Sequence, residues 1–329
     1  MKSKFRNLFL AFGILAVIIM LFTFDVSYDE LLGNLRRAGF YLPLVLVLWL
    51  FIYLINTLSW YIILRSSGPV NSLSFARLYK FTVSGFALNY VTPVGLMGGE
   101  PYRIMELTPY VGVERATSSV ILYVMMHIFS HFCFWLSSVL IYVFFYPVGW
   151  GMGIVLGLTT LFCLLLVTLF IKGYRNGMAV ACVRLGSHIP FLKKRAVRFA
   201  ELHKEKLETI DSQIALLHQQ RKSTFYLALG LEYTARIVGC LEVWLILNVL
   251  TTDVSFVGCI LIVAFSSLLA NLLFFLPMQL GGREGGFALA VAGLSLSGAY
   301  GVFAALITRV REMVWIVIGL VLMKIGNRR

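Results

Sequence analysis

Long apolar runs separated by short polar clusters set the pattern of this chain. Runs at 8–24, 42–64, 117–145, 149–172, 223–250 and 300–324 are near or above the roughly 20 residues that carry a helix across about 30 Å of hydrocarbon. The runs are continuous rather than alternating, which excludes a transmembrane β-barrel. Only helices then satisfy every backbone group in lipid. Two further apolar stretches, 78–92 and 255–276, end in glycine-rich breaks. The pattern predicts an all-α polytopic membrane protein with about six spanning helices and two broken segments. The first run follows Lys2, Lys4 and Arg6, with no small-residue cleavage site after it, and is expected to stay as a helix.

Charge orients the spans. Of 329 residues 60 % are hydrophobic and 13 % charged, and the formal net charge is +13. Basic residues collect at the N-terminus, at Arg65, Arg77 and Lys80, in the stretch 172–222, and at Lys324, Arg328 and Arg329, whereas the links 146–148 and 251–254 have none. Cytoplasmic loops carry such an excess, so both termini are expected inside a multi-pass protein of the cytoplasmic membrane. The positive charge is thereby accounted for and gives no reason to invoke nucleic acid. Residues 173–222 form a basic linker in which Leu192, Ala196, Phe199, Leu202, Leu207, Ile210, Ile214 and Leu217 recur at roughly helical spacing, which predicts an amphipathic cytoplasmic helix. The five cysteines are scattered singly, and no disulfide framework or thiolate metal site is expected.

The breaks repeat. "PVGLMGGE" at 93–100 is matched by "PMQLGGRE" at 277–284, aligning Pro93, Gly98 and Glu100 with Pro277, Gly282 and Glu284 at an offset of 184 residues. The same offset carries run 42–64 onto 223–250 and the start of 117–145 onto that of 300–324. One integral membrane domain with two repeats, about 42–145 and 223–324, is expected. With both termini inside, corresponding runs cross in opposite directions. The repeats are then inverted, each with a re-entrant hairpin, an arrangement found in transporters. Glycine supplies the backbone freedom that such turns need. Pro101 suits the first helical position, and the second half-helices are expected to begin near Glu100 and Glu284, presenting free amides to anions.

Ionisable side chains at membrane depth are costly and face a cavity or a partner. Here they gather around the breaks: Arg103 and Glu106 after the first, Arg283 and Glu284 in the second, and Arg309, Arg311 and Glu312 in the last run. Glu232 and Arg236 stand at i and i+4, the spacing of a helical ion pair, with Glu242 further along. Arginine's planar fork suits phosphate. Arg103, Arg283, Arg236 and Arg309, with Gly98, Gly99 and Gly282, are therefore the expected binding set for an anionic head group. Glu100, Glu284, Glu106 and Glu232 are the expected gating or proton-coupling set; Glu100 also has the position of a simple helix cap. His127 and His131, again i and i+4, suit hydrogen bonding inside the bundle, with a proton relay and a zinc site as alternatives. No further ligands complete a zinc site, and no metal or other cofactor is expected.

"PVGLMGGEPYR" and "LPMQLGGREG" resemble the two signature turns of the flippase-like membrane domain. That domain is the N-terminal half of the lysylphosphatidylglycerol synthase and flippase MprF and also occurs alone in YbhN-like proteins. The resemblance spans nearly the whole chain. It implies movement of an anionic phospholipid, or of a polyprenyl-phosphate-linked lipid, between leaflets, and it gives weight to Gly98, Gly99, Glu100, Pro101, Arg103, Gly282 and Glu284.

The leading expectation is thus a lipid flippase working by alternating access, a transporter rather than an enzyme. No G-x-x-x-x-G-K-[ST] loop occurs, which points away from ATP hydrolysis by this chain. A membrane-embedded transferase or hydrolase acting on a lipid head group is the alternative, using the carboxylates and His127/His131. A non-catalytic scaffold is a third reading, and leaves the buried charges unexplained. A homodimer is an open expectation.

Overall fold

Apolar runs of this length fold as helices, and every regular element among the described residues is one. A computed structural model describes residues 36–70, 73–91, 98–176, 222–272 and 282–325, with Gly33, Glu205, Glu208 and Ser212. The expected first span, nearly all of the amphipathic linker, and the turn residues 92–97 and 273–281 lie outside the described residues.

The helices are α1 (Tyr41–Ser66), α2 (Phe75–Val91), α3 (Gly99–Val111), α4 (Val113–Phe145), α5 (Trp150–Asn176), α6 (Lys222–Leu247), α7 (Phe256–Leu272), α8 (Gly282–Ala292) and α9 (Gly298–Lys324). Their ends fall within a few residues of the apolar runs. By length and composition α1, α4 and the Trp150–Leu169 part of α5 suit a membrane crossing. Helices α6 and α9, of 26 and 27 residues, are as long, but each carries three charged residues along the middle. Helices α2 and α7 have 17 residues each, about 26 Å, and α3 and α8 are shorter still. None of these four reaches across the hydrocarbon alone.

Packing follows a regular scheme. Trp49 Nε1 donates to Glu242 Oε2 at 2.8 Å, and Ser59 Oγ to the Ala228 carbonyl at 3.3 Å, so α1 and α6 lie antiparallel. Helices α2 and α3 double back on each other: Gly99 N–H donates to Asn89 Oδ1 at 2.8 Å, and Arg103 Nη2 to the Thr82 carbonyl at 3.2 Å. Helices α7 and α8 do the same, Gly286 lying against Ser266 and Gly258 against Leu294. Each pair then packs along the long helix of the other group, α2 on α9 and α7 on α4. One apolar core joins Trp60, Leu64, Phe81, Leu107 and Met126 of α1–α4; another joins Val45, Ile246, Ile262, Phe287 and Phe303 of α1 and α6–α9. Helix α1 belongs to both.

Two glycines shape the α2–α3–α4 corner. Gly112 alone separates α3 from α4; its φ is +83°, a region in which glycine pays no steric penalty. At Gly99 the two arms of the hairpin touch, and a Cβ there would run into the Gly85 carbonyl oxygen and the Asn89 side chain. Gly99→Ala should therefore cost about 1–3 kcal/mol or more, the range for forced overpacking. Gly230→Ala, where nothing lies within 4 Å, should be neutral or slightly stabilising. Thermal unfolding of the two variants in detergent checks the contrast. Helix α3 begins at Gly99, so Pro101 is its third residue rather than its first. It remains in the first turn, where the amides have no intrahelical partner to lose.

Candidate functional site

Charges that the sequence scatters over four helices converge on one cavity. It holds about 410 Å3 and lies between the two helix groups, with walls from α1–α4 and α6–α9. Glu100, Arg103, Glu232, Arg236, Arg283 and Arg309 of the expected set all line it. Glu284 stands beside it through Arg309, whose Nε donates to Glu284 Oε1 at 3.0 Å. Glu106, on α3, is not among the lining residues. Gly98, Gly99 and Gly282 lie at the starts of α3 and α8, the two helices whose first turns carry Glu100 and Glu284.

The arginines are mostly paired. Arg103, 1 % exposed, reaches Glu100 Oε1 at 3.2 Å, and its guanidinium carbon is 4.7 Å from the Phe86 ring centre and 5.3 Å from that of Tyr123. Asn89 Nδ2 donates to the same Glu100 oxygen at 2.9 Å. Arg283 is bonded to Glu312, and Arg309 Nη1 also comes within 3.9 Å of Glu312 Oε2. Arg311 grips Glu242 with two nitrogens, at 2.8 and 3.0 Å, and stacks 3.7 Å above the centre of the Trp49 ring. Four arginines thus meet four glutamates, and Arg236 and Glu232 bring the site to five of each: it is a balanced charge array rather than the arginine-rich pocket that the sequence suggests.

Arg236 is the exception. The expected Glu232–Arg236 ion pair does not form. Glu232 Oε2 instead lies 2.8 Å from His127 Nδ1, and Arg236 donates to Ser130 Oγ and to the His127 carbonyl, each at 2.6 Å. Helix α4 passes close enough to α6 to supply these partners, and contacts across the bundle displace the local pair. His127 therefore does the hydrogen bonding that its position suggests, and its ring meets that of His131 edge-on, 5.6 Å between centroids.

Several polar atoms of the cavity wall are buried without a hydrogen-bond partner among the described residues: Asn56 Oδ1, Glu100 Oε2, Arg103 Nε, Tyr123 Oη, His131 Nδ1, Glu232 Oε1 and Arg311 Nη1. Leaving such an atom unsatisfied costs about 1–3 kcal/mol, a cost that a polar occupant of the cavity would remove. Asn89, Trp49 and the Glu242–Arg311 pair were not legible as site residues. Asn89 carries no motif, and Trp49 reads as one more aromatic in an apolar run. Glu242, Arg311 and Glu312 stand out only as charges in apolar helices.

Fold and cavity define the class: an all-helical membrane protein with a charged interior between two groups of helices. The chain belongs to the family described as the lysylphosphatidylglycerol synthase TM region, whose model matches residues 8–320, in agreement with the resemblance carried by the two glycine turns. No curated protein and no solved structure matches the chain.

Proposed function

We propose that this protein is a lipid flippase, moving an anionic or phosphate-containing lipid between leaflets by alternating access at the two hairpins. The observation that carries the reading is the cavity at the junction of the two helix groups, charged, buried, and lined by unsatisfied donors and acceptors. A lipid-related family supports it. Arg236, bonded only to neutral groups in its described contacts, is the anchor for the head group's negative charge. Arg103, Arg283 and Arg309 hold it once their carboxylates release them. Exchange of Glu284 and Glu312 for substrate phosphate then couples binding to movement of α8 against α9. An inside-negative potential favours outward movement of an anion by about 2.3 kcal/mol per charge per 100 mV, so export of such a lipid does not require nucleotide hydrolysis.

The test is a leaflet assay. Purified protein in liposomes should move fluorescent phosphatidylglycerol between leaflets with its head group unchanged. A chemically altered head group would point to the transferase or hydrolase instead, and neither change would sink both readings.

The inverted arrangement of the repeats, 42–145 and 223–324, belongs to the same proposal. It is supported by helix lengths of 26 and 26 for α1 and α6, 17 and 17 for α2 and α7, and by the antiparallel seam of α1 with α6. In this scheme both termini and the linker lie on the cytoplasmic side, as the excess of Lys and Arg there suggests. Single cysteines near Gly112 and Gly298, in a background free of native cysteine, should label from the cytoplasm and from outside respectively. Labelling of both from one face would exclude inversion.

Glu100 and Glu284 gate the two hairpins in this scheme. Glutamine keeps their size but removes the negative charge, so Glu100→Gln and Glu284→Gln should each slow transport. Wild-type rates in both variants would reduce the two residues to helix caps.

A further inference from the structure

A second hollow of about 140 Å3 lies on the other side of α7 from the charged cavity, walled by α4, α5, α7 and α8. Its lining is almost wholly apolar and includes Val139, Met152, Leu156, Leu268 and Leu294. Helix α7 is the partition: Ser266 and Ala270 face the charged cavity, Leu261 and Phe265 the apolar hollow. Helix α4 divides in the same way, His131 and Phe134 on one side and Trp135 and Ser138 on the other. At the dividing line the two helices are bridged by Trp135 Nε1, which donates to Ser267 Oγ at 3.0 Å. The rim of the hollow is open to the bilayer, with Val155 43 % and Leu289 62 % exposed.

The seam between α2 and α9 is the counterpart in the other repeat, and it is built differently. Ser84 Oγ donates to the Gly319 carbonyl at 2.9 Å, and a Cβ on Gly319 would collide with that of Ala87. Small residues thus bring those two helices into backbone contact, the tight form of helix packing in lipid. The α4–α7 seam is instead spanned by a long indole. Its bridging atoms sit at matching depth: Ser84 and Ser267 nine and eleven residues into α2 and α7, Gly319 and Trp135 twenty-one and twenty-two into α9 and α4. One seam is sealed and the other is latched by one neutral hydrogen bond between side chains.

We infer that the α4–α7 seam is a lateral gate, and that the hollow outside it receives an acyl chain of the lipid whose head group occupies the charged cavity. The inference rests on the flippase reading and adds to it a place for the apolar part of the substrate. A lipid with its head among Glu100, Arg236 and Arg309 has to pass its chains out through a wall. Among the described residues, the α4–α7 wall combines an indole latch at the dividing line with an apolar recess on its outer side. Rotation of the Trp135 indole away from Ser267 exchanges its hydrogen bond for a chain-sized opening and leaves the ion pairs of the site untouched.

The test uses photolabelling of the whole protein in phosphatidylcholine liposomes. The probe is phosphatidylglycerol with a diazirine near the end of one chain; diacylglycerol with the same chain is its uncharged control. Leu161 and Leu165 on α5, 67 % and 58 % exposed, report ordinary boundary lipid. The phosphatidylglycerol probe should label Val139, Met152, Leu156 and Leu268 several-fold more than this reference, whereas diacylglycerol should label both groups alike. The excess should vanish in Arg236→Gln and rise in Trp135→Phe, which keeps the ring and removes the latch. No excess in the hollow, or an equal excess with diacylglycerol, overturns the inference, and neither result depends on a variant that folds. If the labelling is as expected but the leaflet assay registers no movement, the chain subsite stands and the flippase reading falls. If lipid moves without head-group-dependent labelling, the reverse holds.

Discussion

Glu242→Ala should destabilise the protein by about 3–5 kcal/mol, the usual loss when one partner of a buried ion pair is removed. The carboxylate accepts from two Arg311 nitrogens and from Trp49 Nε1, clamping α9, α6 and α1 at one point. Without it the Arg311 guanidinium, 1 % exposed, keeps one carboxylate nearby among the described residues, that of Glu312. That carboxylate lies 3.7 Å from Arg311 Nη1 and is already committed to Arg283 and Arg309. Arg311→Leu should cost a similar amount, because it strands Glu242. The double variant Glu242→Leu with Arg311→Leu should recover much of the loss, since replacing both charges by apolar groups is often neutral. Unfolding in mixed micelles checks all three. A double variant as unstable as either single one would mean that the pair works through something other than charge compensation.

Arg236→Gln should lower transport per folded molecule about tenfold to a hundredfold, because a hydrogen bond to a charged group is worth about 1.5–3 kcal/mol and each 1.4 kcal/mol is tenfold. The folded yield should hardly change. Glutamine can still donate to the His127 carbonyl, and Glu232 keeps its bond to the His127 ring. Stability and transport thus separate at two positions on the same helix, six residues apart: Glu242 is a clamp and Arg236 an anchor. Unchanged transport in Arg236→Gln, measured by the leaflet assay at equal protein density, would remove Arg236 from the binding site and leave the head group to the paired arginines.

The helices were legible because lipid imposes a simple rule: a run of about 20 apolar residues is a helix, and its ends are where the charges begin. The glycine turns were legible as a repeated motif, and the family followed from them. The partners within the cavity were not. Spacing along one helix pairs Glu232 with Arg236, but in the fold His127, 105 residues away, takes the Glu232 carboxylate. Arg309 likewise reaches back 25 residues to Glu284, and Arg311 reaches 69 to Glu242. Local spacing fixes which charges share a helix face; the crossing of helices decides which of them meet. Asn89 illustrates the remainder. A single amide on an apolar helix has no signature until the hairpin closes and lays it against Gly99 and Glu100.

The double membership of α1 has a consequence for the biogenesis of the protein. Its Trp49 is satisfied by Glu242, 193 residues later in the chain, and its Ser59 by Ala228. At translation rates of about 5–20 residues per second, the wait for Glu242 lasts roughly 10–40 s. During that time the polar face of α1 has left the ribosome without the helix that covers it. The first half of the chain therefore lacks the partner of this face until α6 arrives. A fragment ending after α4 should be degraded when made alone and rescued when the second half is made alongside it.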